Sequence, residues 1–149
     1  MKSTIFAIAV SALLIPSVNA HNFEDTDDAI DYRKSGFSLI RYQFGDMGAM
    51  LKGKKDFDLT VFQTRAANLD ALSKIPHEGF IDGSDKGDTE ALAKIWSNKA
   101  DFDSKMTTFQ ENAAKLNIAA QTGDKKQIKQ AFGNTGKSCK GCHDMYKKD

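Results

Sequence analysis

Cys139-Lys140-Gly141-Cys142-His143 sets two thiols and an imidazole at positions i, i+3 and i+4. On a helix those positions project to one face. Two thiols so spaced can add across the two vinyl groups of one porphyrin, and the imidazole beside the second thiol then stands as an axial ligand to the iron. The pattern is the C-x-x-C-H attachment signature of c-type haem. It uses both cysteines of the chain, so no thiol is left over.

Three other chemistries fit less well. A thioredoxin-like C-x-x-C wants a βαβ context, and no strand pattern lies near it. A zinc site needs further ligands, and neither His21 nor His77 stands at finger-like spacing. A disulfide between Cys139 and Cys142 would close too small a loop to stabilise much.

Covalent haem attachment belongs to exported chains, and the N-terminus reads as an export signal. Lys2 precedes an apolar run from Ile5 to Pro16 and a small-residue site at Val18-Asn19-Ala20. This is the order of a secretory leader, residues 1–20, cut after Ala20. The run is short for a bilayer span. Residues 21–149 then form one domain in a bacterial periplasm. Without Lys2 that domain carries 20 basic and 20 acidic residues. A balance of this kind gives no basic excess for nucleic acid and no steering toward a charged redox partner, which stays unidentified. No second apolar run calls for membrane insertion of the mature chain.

The elements that must position the motif are helices. Pro76 is the one proline after the leader, and apolar residues recur at helical spacing. A first segment opens at Asp25 to Asp28, carries Ile30, Phe37, Ile40, Phe44, Met47 and Leu51, and stops near Gly53. A second begins near Asp58, with Leu59, Phe62, Ala66, Leu69 and Leu72 on one stripe, and ends before Pro76. His77 to Gly87 reads as a loop too polar for core, and a short helical turn is expected over Thr89 to Trp96. The third segment has Phe102, Met106, Phe109, Ala113, Leu116 and Ala120, steps of 4, 3, 4, 3 and 4, ended by Gly123. Asp124 caps a fourth, whose stripe is Ile128, Phe132, Thr135, Cys139, Cys142 and Tyr146. The cysteines thus lie on a core-facing line, so a haem held there sits inside the bundle. Gly133, Gly136 and Gly141 weaken this helix by up to about 1 kcal/mol each relative to alanine; a flat porphyrin against the backbone is one reason for them. The expected fold is all-α, an antiparallel up-down-up-down four-helix bundle enclosing a covalently attached haem.

A C-terminal C-x-x-C-H in an exported four-helix chain resembles the class II c-type cytochromes, specifically the cytochrome c′ family. Tyr32-Arg33-Lys34-Ser35-Gly36-Phe37 is similar to that family's first-helix signature. Phe80, Ile95-Trp96-Ser97, Phe102, Ala131-Phe132-Gly133 and Ser138-Cys139-Lys140 are similar as well. The likeness covers essentially the whole chain after the leader.

The resemblance implies one haem c per chain, held by thioethers from Cys139 and Cys142, with His143 as the axial iron ligand. It implies that Phe37 closes the opposite face, that Arg33 reaches a haem propionate, and that Lys34, Thr89 and Glu90 lie near the haem edge. Two positions depart from the family. Lys34 stands where glutamine is usual, and Lys147 follows Tyr146 where an arginine is frequent. A lysine is a point charge rather than a planar fork. A homodimer through the first two helices is also implied.

An iron with one open position behind an apolar lid admits small uncharged diatomic molecules. The resemblance implies binding of nitric oxide and carbon monoxide, with electron transfer as a further capacity. Poor dioxygen binding is expected, since Phe37 offers no hydrogen bond. The alternative is a six-coordinate, low-spin electron carrier with a first-helix methionine on the iron. Met47 and Met50 lie ten and thirteen residues beyond Phe37, about three turns away. Met106 and Met145 read as packing residues, and His21 and His77 as solvated. No distal acid–base pair marks an enzyme.

Overall fold

The structure, a computed structural model, describes residues 23–148. The leader expected over residues 1–20, and His21, lie outside them. Helix α1 spans Thr26–Leu51 and α2 spans Leu59–Leu72, followed by a 3₁₀ turn at Pro76–Gly79. A short helix α3 at Lys94–Ser97 leads into α4, Lys99–Thr122, and α5, Lys125–Tyr146. Local chemistry sets these ends. The Asp25 side chain accepts the Asp28 N–H at 2.9 Å, and Asp58 accepts that of Val61 at 3.0 Å. Asp124 accepts from Lys126 at 2.7 Å and Gln127 at 3.3 Å. Each bond satisfies an orphan donor of a first helical turn. Gly123 ends α4 with φ +69°, a left-handed conformation that glycine takes without strain.

The four long helices run antiparallel. α4 lies against α5 and α2, and α1 against α2 and the 3₁₀ turn. Met47, Phe62, Leu69, Leu116 and Ile128 fill one core at the end where α1 leaves and α5 enters. There α1 and α5 touch: the rings of Phe44 and Phe132 stack with centroids 4.1 Å apart. Toward the other end the two helices diverge, and a second cluster of Ile95, Phe102, Met106 and Tyr146 lines the space between them.

Three expectations need correction. The 77–87 loop is not merely a polar surface loop, because Gly79 and Ser84 are buried against α1. A Cβ on Gly79 would stand 2.7 Å from the Ala29 carbonyl oxygen, so only glycine lets the turn lie this close. The helical turn expected from Thr89 is confined to Lys94–Ser97. Residues 90–92 instead pair with the chain leaving α5, through Leu92 N–H to Tyr146 O at 2.9 Å and Lys148 N–H to Glu90 O at 2.8 Å. Of the three α5 glycines, only Gly136 faces the divergent space, where an added Cβ would come 3.4 Å from Phe44; Gly133 and Gly141 face open space.

Candidate haem-binding site

Between α1 and α5 lies a cavity of about 690 Å³, within the range of cofactor pockets. All eight residues singled out in the sequence line it. α5 brings Cys139, Cys142 and His143 to one wall, as the i, i+3, i+4 spacing requires. α1 brings Arg33, Lys34 and Phe37 to the other, and the extended segment before α3 adds Thr89 and Glu90 at the rim.

The thiols are half-buried. Burial pushes Cys139 up to about 11, and burial likewise raises Cys142. In this arrangement both are protonated at neutral pH. Desolvation against the cavity wall, with Lys147 nearby, lowers the pKa of the His143 imidazole. The neutral ring is the form that ligates a metal.

Phe37 meets Phe80 edge-on, with centroids 6.3 Å apart, and belongs to the packing of both core clusters. Met47 and Met50 are buried in the far cluster and do not line the cavity, whereas Met106 does, from α4.

Arg33 is 2% exposed, and its fork organises the loop. Nη1 donates to Gly79 O at 2.7 Å and Ser84 Oγ at 2.6 Å; Nη2 donates to Ser84 O at 2.6 Å and Thr89 Oγ1 at 2.8 Å. Its Cζ stands 4.6 Å over the Phe80 ring. Burial lowers its pKa, yet guanidinium keeps its proton in proteins. Among the described residues no carboxylate forms an ion pair with it. A buried cation with only neutral acceptors is costly, so an anion in the cavity would be favoured.

The rim is held by exposed ion pairs. Lys34 bonds Asp88, and Lys147 bonds Glu90 at 2.9 Å. The Lys34 bond lowers the Asp88 pKa, and the Lys147 bond lowers that of Glu90. His77 is not simply solvated: its Nε2 is 2.8 Å from Asp103 Oδ1, tying the 3₁₀ turn to α4 outside the cavity.

The sequence reading missed two features. Ser84 carried no signal, because its partner is Arg33, distant along the chain. Tyr146 was placed on the α5 stripe, but not its bonds: its hydroxyl donates to Asp101 Oδ2 at 2.6 Å and accepts from Asn98 Nδ2 at 3.0 Å. Burial first, then Asp101, push Tyr146 up to about 12, against about 10 for a free phenol. A group with a raised folded pKa stabilises the fold fully below its unfolded value and loses that contribution as pH rises through the folded one. The stabilisation is therefore lost between about pH 10 and about pH 12. In thermal melts across that window the gap between wild type and Tyr146→Phe is expected to close. A gap that stays constant would contradict the assignment.

Two thiols and an imidazole on one helix, facing an apolar cavity inside a four-helix bundle, define a bundle-type c-haem protein. The family model described as Cytochrome C' matches residues 28–147. Cytochrome c' of Rubrivivax gelatinosus is 45% identical over 126 residues, covering 84% of this chain and 98% of that one. The solved cytochrome c prime from Shewanella frigidimarina is 74% identical with a TM-score of 0.85, over 86% of this chain and all of that one. A nitric oxide complex of a cytochrome c prime variant from Alcaligenes xylosoxidans is 38% identical, TM-score 0.79, over 85% of this chain and 99% of that one; a carbon monoxide complex of another variant of that protein matches equally well. The chain belongs to the cytochrome c′ family, whose cofactor is covalently attached haem c.

Proposed function

We propose that this chain is a periplasmic c-type haem protein with five-coordinate, high-spin iron that binds nitric oxide and carbon monoxide and can transfer electrons. The observation carrying this reading is the chemistry of the two cavity walls. One presents Cys139, Cys142 and His143; the other presents Phe37, whose ring carries no donor atom. In this reading Cys139 and Cys142 hold the haem by thioether bonds and His143 ligates its iron. Bound there, haem supplies an iron with one open position for an uncharged diatomic molecule.

The chain's own residues do the rest. Phe37 covers the open side and offers no group to hold an anion; it yields to a small uncharged ligand by rotating away from Phe80. Arg33 meets a propionate, which supplies the counter-charge its buried guanidinium lacks. Lys34, Thr89 and Glu90 close the haem edge. The relatives solved with nitric oxide and carbon monoxide support the gas-binding part. That no helix among the described residues is long and apolar enough to cross a membrane accords with a mature chain that is not inserted. Exposed Leu39 and Tyr42 on α1, with Arg65 of α2 at 5.1 Å over the Tyr42 ring, support a homodimer through these helices.

The reading is tested at Phe37. Its aromatic packing is worth about 1 kcal/mol, which a ligand must displace. Phe37→Ala is therefore expected to bind carbon monoxide roughly fivefold more tightly in the ferrous state, as read by a Soret titration. Unchanged or weaker affinity would show that Phe37 does not cover the iron.

A further inference from the structure

Tyr146 is 2% exposed and lines the cavity, and the gas-binding reading gives its hydroxyl no task. Its ring meets Phe102 edge-on at 5.5 Å and shares a cluster with Ile95 and Met106. A phenylalanine would fill this space without burying a polar atom. The hydroxyl is instead placed with care. Asn98 Nδ2 donates to it at 3.0 Å, occupying a lone pair, and the phenol proton is directed to Asp101 Oδ2 at 2.6 Å. Asp101 lies in the first turn of α4 with its side chain 43% exposed, so a proton arriving there can pass to water. Lys105 stands 3.9 Å from the same oxygen.

A phenol gives up an electron readily only when its proton leaves at the same time, because the protonated radical is a very strong acid. A positioned carboxylate supplies the acceptor. The chain's other two tyrosines lack one half of this arrangement. Tyr32 bonds the Glu78 carboxylate but does not line the cavity, and Tyr42 is 60% exposed.

We propose that Tyr146, with Asp101 as its proton acceptor, is a one-electron donor to the haem cavity that discharges oxidising equivalents left by hydrogen peroxide. The electron leaves the phenol for the oxidised centre in the cavity. The O–H bond breaks, and its proton goes to the Asp101 carboxylate, leaving a neutral phenoxyl radical. An enediol reductant such as ascorbate monoanion then returns one electron and one proton. Two such electrons, with two protons taken up from solvent to replace those released through Asp101, complete cleavage of the O–O bond of one peroxide. One peroxide and two ascorbate monoanions thus become two waters and two ascorbyl radical anions. This relay rests on the haem-binding reading above.

The test is freeze-quench electron paramagnetic resonance of the ferric holoprotein mixed with hydrogen peroxide. Wild type, wild type grown on ring-deuterated tyrosine, Tyr146→Phe, Asp101→Asn and Tyr32→Phe are compared after a Soret band and helical circular dichroism are verified for each. The expected result is an organic radical that narrows on deuteration, is absent in Tyr146→Phe and is unchanged in Tyr32→Phe. In Asp101→Asn it should form on the order of 10²-fold more slowly, the usual worth of a positioned base. No radical in wild type, a radical indifferent to deuteration, one that persists in Tyr146→Phe, or an unaltered rate in Asp101→Asn would each overturn the proposal. A wild-type protein without a Soret band would overturn the haem reading first, and the relay with it.

Discussion

Replacing Cys139 and Cys142 together by serine is expected to give a chain that, isolated without haem, has no cooperative thermal transition. The walls of the cavity are core residues such as Phe102, Met106, Phe109 and Tyr146, and the helices that carry them are held apart around about 690 Å³. The space is open at its rim, so without haem its apolar walls either meet water or remain as cavity. At about 24 cal/mol per Å³, about 200 Å³ left unfilled already costs roughly 5 kcal/mol, the lower end of the total stability of a small domain. The bundle without haem must therefore collapse into the space or lose fixed packing, as a protein does when a ligand bound only by its native state is withdrawn. Far-ultraviolet circular dichroism should keep part of its helical signal, while near-ultraviolet signals from Phe102 and Tyr146 disappear. A sharp transition within a few degrees of the holoprotein would contradict this.

Arg33→Met is expected to lower stability by about 2–5 kcal/mol, the cost of leaving buried acceptors without a donor, with the haem still attached. The four Nη bonds hold Gly79, Ser84 and Thr89, so one side chain fixes both ends of the loop between the 3₁₀ turn and α3. Methionine fills part of the volume but leaves the Ser84 carbonyl and hydroxyl without a donor and Gly79 O with only a long bond from Ser84 Oγ at 3.5 Å, while Thr89 Oγ1 keeps the Ala91 N–H at 3.1 Å. Each unmet acceptor costs about 1–3 kcal/mol where water cannot replace the donor. The effects overlap and do not add in full. For a domain of this size the loss corresponds to a drop of roughly 10–20 °C in Tm. Arg33→Lys should recover little, because an ammonium cannot span four acceptors in the fork geometry. Melting of Arg33→Met within about 2 °C of wild type would mean that the loop is held by other contacts.

Much of this was legible before any coordinates, and for physical reasons. The helix ends follow from Asp25, Asp58, Gly123 and Asp124, whose side chains or backbone freedom act within three residues. The thiols and imidazole converge because a helix fixes the geometry of i, i+3 and i+4. Long-range partners were not legible. Nothing about Ser84 in a polar loop announces a guanidinium from α1, and the pairing of Ala91 with Lys147 joins segments that each look featureless. His77 illustrates the same limit: a loop histidine reads as solvated until Asp103 of α4 is brought beside it. The Tyr146–Asp101 bond was hidden because periodicity reports which face a residue occupies, not whom its hydroxyl meets. Arg33, Phe37, Thr89 and Glu90 were brought together by family resemblance, since spacing alone does not link α1 to the segment before α3.

The central claim is an iron left open beneath Phe37, and resonance Raman spectroscopy of the reduced holoprotein before and after addition of nitric oxide tests it most directly. The account predicts high-spin, five-coordinate marker bands that shift as the gas binds, with Met106→Leu giving the same starting spectrum. Low-spin, six-coordinate iron that resists the gas would mean that a side chain occupies the sixth position, making this an electron carrier and the role given to Phe37 wrong.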